Sequence, residues 1–179
     1  MTHFTQKPTL IIILSLLLIL ILTAAITTAQ EKIKVAGNVT MATTKYETVS
    51  LSDADNHTYS FYTYDGVNMS KGQSIFMDGA QVINTGVSDL VKGNGPHQGY
   101  VKFLKGGDSI LAKWSGIVTT TLSPEGAPLI SFAGTFSYIA GAGKYENIQG
   151  GGSYSGKYIS KMIVNFNWEA EYFIAAKGK

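Results

Sequence analysis

GTFSYIAGAGKYENIQGGGSYSGKY, residues 134–158, carries the strongest structural signal in the chain. Seven residues from Gly134 to Gly156 are glycine, and aromatic residues recur between them. Glycine adopts positive φ and lets backbones approach closely at corners and bulges, whereas aromatic residues favour a half-buried pleated surface. The segment therefore predicts a strand, a tight glycine corner and a return into a second strand, as in a sheet that bends into a barrel.

The end of the chain shows the most regular alternation. Residues 162–173 keep a period of two over a dozen positions, which predicts a strand with one dry and one wet face. The apolar face consists of Met162, Val164, Phe166, Trp168, Ala170 and Tyr172, and the other face carries Asn165, Asn167, Glu169 and Glu171.

The remaining sequence after residue 30 also favours strands over helices. Residues 99–105 and 109–121 flank a glycine turn and predict a hairpin. Residues 32–40 and 58–64 predict two more strands, the second ended by a turn at Asp65-Gly66, and residues 73–84 a strand interrupted at 78–80. About eight strands with short turns predict an all-β fold, a single closed antiparallel eight-stranded barrel, because closure removes exposed edges. A β-sandwich is the alternative.

The first 29 residues have the layout of an export signal. Residues 10–22 are apolar except for Ser15, Lys7 precedes them, and Thr27-Thr28-Ala29 offers a small-residue cleavage site. We expect a helical signal peptide over 1–29, a barrel domain over 30–179, and a secreted or periplasmic protein. A retained anchor is the alternative, because the run of about 17 apolar residues is at the lower limit for a membrane span. Membrane contact is expected only through this segment.

Composition excludes several classes of function. The chain has no cysteine, so thiol catalysis and thiolate metal sites are excluded. All fourteen basic residues are lysine, and no basic run occurs, which argues against a nucleic-acid partner. Asp53, Asp55 and His57 alternate as metal ligands would, but a solvated turn is the favoured interpretation. Gly141-Ala142-Gly143 lacks the following helix of a nucleotide loop, so we expect neither a metal nor another cofactor.

The glycine-rich segment resembles the turn region of the allene oxide cyclase and dirigent barrel superfamily, over residues 132–172. The similar positions are the aromatic pair Phe136 and Tyr138, the turn Gly141, Gly143, Lys144 and Tyr145, and then Ile148, Gly150 and Gly152. The resemblance implies an eight-stranded antiparallel barrel, trimeric or dimeric, with an apolar cavity. Characterised members of that superfamily guide a reactive intermediate through ring closure or radical coupling, without a metal or nucleotide cofactor.

Two sets of residues are candidates for a site. The carboxylates Glu169 and Glu171, with Asn165, would be catalytic if their face lined the lumen, since carboxylates in a dry cavity act as acids or bases. The favoured alternative has the apolar face inside and the glutamates in water. A ligand cavity is predicted to be walled by aromatic residues, namely Trp114, Phe132, Phe136, Tyr138, Phe166, Trp168 and Tyr172.

Three functions are consistent with these observations. The leading hypothesis is a small exported barrel that binds a small apolar molecule. The second is a cofactor-free cyclase or isomerase that acts through shape and a few polar groups. The third is a structural or assembly module whose lumen is packed solid. An open apolar cavity that contains an acid or an amide favours catalysis, a cavity without polar groups favours binding, and a filled lumen excludes both.

Overall fold

A computed structural model describes residues 31–160 and 162–176, which form eight antiparallel strands in chain order. The strands are β1 (Ile33–Leu51), β2 (His57–Lys71), β3 (Gln81–Val91), β4 (Gly95–Lys105), β5 (Asp108–Leu122), β6 (Pro128–Ala142), β7 (Ile148–Tyr158) and β8 (Ile163–Ile174), with a 3₁₀ turn over Gly143–Tyr145 between β6 and β7. The signal-peptide and anchor predictions for residues 1–29 lie outside the described residues.

The first and last strands pair, so the sheet closes into a barrel. Val39 of β1 lies opposite Asn68 of β2 on one side and Phe166 of β8 on the other. Every strand is hydrogen-bonded to the next one along the chain. The predicted eight-stranded antiparallel barrel is therefore confirmed, and the sandwich alternative is wrong.

The faces of the strands follow the sequence periodicity. On β8, Val164, Trp168 and Ala170 are buried, whereas Glu169 is exposed. On β5, Ile110, Ala112, Trp114 and Val118 are buried on the inner side. Met162 precedes β8 and is 56% exposed, so the apolar face begins at Val164 and not at Met162. The predicted hairpin of β4 and β5 and the glycine corner between β6 and β7 are confirmed.

Two predicted boundaries on the β2–β3 side are wrong. The dipeptide Asp65-Gly66 does not end a strand, because β2 continues to Lys71 and Gly66 pairs with Met41 and Val82. Residues 73–80 are not part of a strand either, since β3 begins only at Gln81. They form a long connection that folds back onto the barrel.

This connection, residues 72–80, closes one end of the barrel and is called the plug loop below. The side chain of Phe76 is 1% exposed, and its ring lies 5.7 Å from Trp168 and 5.0 Å from Tyr172. The fully buried Asn68 donates from Nδ2 to the carbonyl oxygens of Phe76 at 3.0 Å and Met77 at 2.9 Å. Its Oδ1 accepts from Trp168 Nε1 at 2.9 Å. Asn68 thus ties the plug loop to both β2 and β8.

Across the part of the chain that the structure describes, no helix is long and apolar enough to cross a membrane.

Candidate functional site

The interior of the barrel above the plug loop holds a cavity of about 70 Å³. On this measure a single water needs about 10–15 Å³, so the space admits a few waters or one small ring. Phenylalanine, tyrosine and tryptophan supply most of the lining, and the others are Met41, Asn84, His97, Val101, Val118 and Val164. Among the described lining residues none is Asp, Glu or Lys.

Inward-facing glycines determine where the aromatic rings lie. A Cβ added at Gly37 would lie 2.5 Å from the Trp168 ring, and one at Gly86 would lie 2.7 Å from the Trp114 ring. Real Cβ atoms do not approach other atoms so closely, so each ring occupies space that a larger residue would take. The glycines therefore do not leave the lumen empty, because large rings pack directly over them.

His97 and Tyr154 form a polar pair across the lumen. His97, on β4, is 7% exposed, and its Nε2 lies 3.0 Å from the hydroxyl oxygen of Tyr154 on β7. The ring centroids of His97 and Trp114 are 4.9 Å apart, and those of His97 and Phe132 are 5.9 Å apart. A Cβ at Gly134 would lie 2.5 Å from the Tyr154 hydroxyl. The glycine next to the pair therefore gives that hydroxyl room to reach the imidazole.

Two further polar pairs border the cavity. The hydroxyl oxygens of Tyr64 and Tyr158 lie 3.0 Å apart. Trp114 donates from Nε1 to Oδ1 of Asn84 at 2.8 Å. With His97 and Tyr154, these groups give an otherwise apolar space hydrogen-bonding groups at three places on its wall.

Burial keeps the polar groups of the cavity uncharged. It lowers the pKa of His97 to about 4, because the imidazolium form loses its hydration without gaining a carboxylate partner. Burial also raises the pKa of Tyr62, Tyr64 and Tyr154 well above the ordinary tyrosine value. The cavity is therefore neutral at physiological pH.

Six of the seven residues predicted to wall a cavity line this one, and the seventh, Tyr172, does not. Its ring lies 5.0 Å from Phe76 and 6.1 Å from Tyr145, so it packs against the plug loop at the closed end. The six lining residues are Trp114, Phe132, Phe136, Tyr138, Phe166 and Trp168.

The candidate catalytic residues Glu169, Glu171 and Asn165 lie on the outer surface of β8. Glu169 is exposed, and Glu171 lies 3.8 Å from Lys34 in a solvent-exposed ion pair. Asn165 donates from Nδ2 to Oδ1 of Asn38 at 2.8 Å, on the same outer face. The catalytic hypothesis required this face to line the lumen. Because the apolar face turns inward instead, none of the three borders the cavity.

The Asp53, Asp55 and His57 triplet separates in the fold. His57 bridges Asp53 at 2.6 Å through Nδ1 and Asp89 at 2.5 Å through Nε2, whereas Asp55 is exposed. Hydrogen bonds to Asp89 and then Asp53 raise the pKa of His57. The two ring nitrogens point to different carboxylates, and within residues 31–160 and 162–176 no cluster of three such side chains could hold a metal ion.

Sequence reasoning missed the polar residues of the cavity. His97 follows Gly95-Pro96, a dipeptide typical of loops, yet β4 begins at Gly95 and places His97 opposite Ser88 and Gly116. The alternation His97, Gly99, Val101 and Phe103 carries this information, because all four share one face of a strand. Asn84 has no comparable signal, since its neighbours on β3 are mixed.

No protein-family model and no curated protein sequence matches the chain. Among solved structures, the chain is similar to the pterocarpan synthase dirigent protein GePTS1, with 9% identity, 96% of this chain and 99% of that chain covered, and a TM-score of 0.46. It is also similar to the Diels-Alderase AbmU from Streptomyces koyangensis, with 11% identity, 99% and 87% covered, and a TM-score of 0.38. Both TM-scores are below 0.5 and carry no information about activity.

Proposed function

We propose that this protein binds one small, neutral, ring-shaped or conjugated molecule inside its barrel. The observation that carries the proposal is a cavity of about 70 Å³ whose wall combines aromatic rings with the neutral groups of His97, Tyr154 and the Tyr64–Tyr158 pair. Aromatic walls contact a flat ligand over a large area, and a few polar groups fix its orientation.

The ligand is neutral because the described wall offers no counter-ion. Moving an ion from water into an apolar site without a partner costs several kcal/mol or more of desolvation free energy. His97 does not compensate an anion, since burial lowers its pKa to about 4 and it remains uncharged. The ligand has at least one oxygen or nitrogen, because the polar pairs of the wall satisfy each other with a single hydrogen bond and keep further hydrogen-bonding capacity for a polar atom in the cavity.

The unfilled volume counts against the hypothesis of a module with a solid lumen. The cyclase or isomerase alternative receives support from one observation, the His97–Tyr154 pair, and is taken further below. Export remains a proposal drawn from the sequence of residues 1–29, and a mature N-terminus near Gln30 in secreted material would support it. A homotrimer or homodimer likewise remains a prediction from the family resemblance.

Three probes with one benzene ring and different charges test the proposal. Benzyl alcohol, benzoate and benzylammonium are titrated separately, and binding is followed through the fluorescence of Trp114 and Trp168, the two tryptophans of the chain. We expect saturable binding of benzyl alcohol and at least tenfold weaker binding of both ions. Equal binding of all three, or none, would contradict the proposal.

A pair of matched variants locates the bound probe. Val118 is 5% exposed and borders the cavity, whereas its neighbour Ile117 is 55% exposed on the outer face. Val118→Phe fills the space and is expected to abolish binding of benzyl alcohol. Ile117→Phe is expected to leave binding unchanged. Circular dichroism of both variants establishes that the barrel has folded.

A further inference from the structure

The hydrogen bond between His97 and Tyr154 contains a movable proton. A neutral imidazole carries one N–H, so the pair has two arrangements. In one, Tyr154 donates to Nε2 and its oxygen is open to accept from a ligand. In the other, Nε2–H donates to Tyr154, and the hydroxyl hydrogen is free to point at a ligand. The 3.0 Å separation of the two atoms suits both arrangements.

The tyrosine pair Tyr64 and Tyr158 supplies a hydrogen-bond donor to the cavity. Two hydroxyl groups contain two hydrogens, and the 3.0 Å bond between their oxygens uses one of them. The other hydrogen is available to a carbonyl oxygen in the cavity, since both residues border it. The ring centroid of Phe132 lies 5.9 Å from that of His97 and 6.0 Å from that of Tyr158, so Phe132 lies between the two polar pairs. A ligand packed on Phe132 has a hydroxyl donor on one side and a proton acceptor on the other.

We propose that this cavity catalyses proton transfer next to a carbonyl group, moving a carbon–carbon double bond of a neutral β,γ-unsaturated ketone into conjugation, with Tyr154 and His97 as the relay. The inference rests on the proposed function, because the ketone must occupy the same cavity. It identifies a substrate class and a reaction that need neither an oxidant nor a cofactor. Neutral ketones also fit the absence of charged groups from the described wall.

The Tyr154 oxygen takes a proton from the carbon between the carbonyl and the double bond, while the hydroxyl proton of Tyr154 moves to His97 Nε2. The C–H electron pair forms a new double bond to the carbonyl carbon, and the carbonyl electrons move onto oxygen, which accepts from the Tyr64–Tyr158 pair. Tyr154 then gives a proton to the far carbon of the dienolate, and His97 returns its proton to Tyr154. The product is the conjugated ketone, and both side chains are restored.

The local electrostatics suit a short-lived intermediate. Burial disfavours the imidazolium form of His97, so the proton returns quickly and is not stored. The dienolate and the imidazolium form together and are separated by only one tyrosine, so their charges offset each other in a water-poor site. Positioned proton transfer of this kind contributes about 10²–10⁴-fold to rate.

Cyclohex-3-enone is the probe that tests the inference. Its isomerisation to cyclohex-2-enone produces a conjugated chromophore that ultraviolet absorbance follows, and tryptophan fluorescence reports its binding in the same samples. We expect the purified protein to accelerate the conversion over buffer with saturation kinetics. Tyr154→Phe and His97→Gln are expected to lose about 100-fold or more of the protein-dependent rate while still binding the probe. His97→Gln retains a hydrogen-bonding group but cannot take up a proton.

Tyr100→Phe is the matched control, because Tyr100 lies on the same strand as His97 but is 49% exposed on the outer surface. Its rate is expected to equal that of the wild type. Binding of cyclohex-3-enone without acceleration overturns the relay and leaves the proposed function standing. Failure of both this probe and benzyl alcohol to bind overturns both. Unchanged rates in Tyr154→Phe would remove the relay even if the wild type is active.

Discussion

His97 shows at the scale of one residue how burial sets chemistry. It packs against Trp114 and Phe132, and its one hydrogen-bond partner in the described cavity, Tyr154, is neutral. Burial therefore lowers its pKa to about 4 from an ordinary value of 6.5. His57 is the opposite case, since Asp89 and Asp53 hold both of its ring nitrogens and raise its pKa. The two histidines should thus respond to acid with opposite signs.

The free energy of unfolding is expected to fall as pH decreases from about 6.5 to about 4 because of His97. In that window the unfolded chain binds a proton at this histidine and the folded chain does not, so acid favours unfolding. The full effect is up to about 3 kcal/mol, and below pH 4 His97 adds no further loss. Urea unfolding of the wild type and of His97→Gln at several pH values isolates the contribution. An equal dependence of the free energy of unfolding on pH in both proteins would show that His97 is not the group responsible.

His57 contributes to the pH dependence of the free energy of unfolding with the opposite sign and over a higher pH range. Its stabilisation is complete below the unfolded pKa of about 6.5 and is lost as pH rises through the raised folded value. In the same urea series, the loss of stability in His57→Gln relative to the wild type should be largest below about pH 6.5 and should shrink as pH rises through the raised folded pKa of His57, a range above that of His97.

At this scale the sequence predicts the inward aromatic residues better than the polar ones. Alternation places Trp114, Phe136 and Trp168 on inner faces because a strand turns successive side chains to opposite sides. Alternation also places Tyr172 on the inner face, but it does not predict whether that ring lines the cavity. The plug loop decides this, because Tyr172 packs against it. His97 was missed because Gly95-Pro96 is typical of a loop, although Pro96 is the second residue of β4 and is laddered to β5 alone, a strand-end position where proline is tolerated.

The plug loop is the element that sets the shape of the cavity, and Asn68 holds it. This side chain is fully buried and makes three hydrogen bonds, to the carbonyl oxygens of Phe76 and Met77 and from the indole of Trp168. Side-chain amides can cross-link backbone and indole groups in this way because they both donate and accept. The loop thereby brings the ring of Phe76 into the base of the barrel.

Replacing Asn68 with alanine is expected to cost about 3–5 kcal/mol, because the Phe76 carbonyl and the Trp168 indole N–H lose their partner in a buried place, and the Met77 carbonyl keeps only its bond from the Ala80 N–H. Chemical denaturation measures the loss, and limited proteolysis tests for cleavage within residues 72–80. Asn167→Ala is the control, since this exposed asparagine also bonds to two partners, Asn38 and Lys71. We expect it to cost less than about 1 kcal/mol. Equal costs would mean that burial does not decide the effect.

Sequence reasoning identified most strands but not this loop. The dipeptides Asp65-Gly66 and Asp78-Gly79 look alike, yet the first lies within β2 and the second in the plug loop. At Gly66 an added Cβ would approach the Thr40 carbonyl oxygen at 2.2 Å, so glycine is needed there for close strand contact and not for a turn. Local composition cannot separate these causes, because the difference lies in a neighbouring strand that is distant in sequence.

The whole barrel depends on pairing between its first and last strands. Ala42 and Ile163 form one end of the β1–β8 ladder, and Ile33 and Tyr172 form the other. Such contacts join residues more than 100 positions apart, so a long segment must be ordered before closure stabilises it. Closure could be predicted from eight short strands with short turns, whereas the register of β1 on β8 could not.

Refolding is expected to be slow, on the order of milliseconds to seconds, because the stabilising contacts of this fold are non-local. Stopped-flow fluorescence of Trp114 and Trp168 after dilution from urea measures the rate. The matched pair Val39→Ala and Val118→Ala tests at what stage of folding the barrel closes. Val39 lies in the closing β1–β8 ladder, whereas Val118 lies in the local β5–β6 hairpin. We expect the Val39 variant to change mainly the unfolding rate. Microsecond refolding would contradict the expectation.

The end of β1 has a consequence for behaviour in concentrated solution. Beyond Thr43, residues 44–51 of the described chain are laddered to β2 alone, so one side of this strand keeps free amide and carbonyl groups. The backbone of another molecule can pair with such an unpaired strand edge, as in the early steps of fibre growth. Lys45 and Glu47, 3.1 Å apart, place charge on this edge. Neutralising both charges is expected to make the barrel self-associate along residues 44–51.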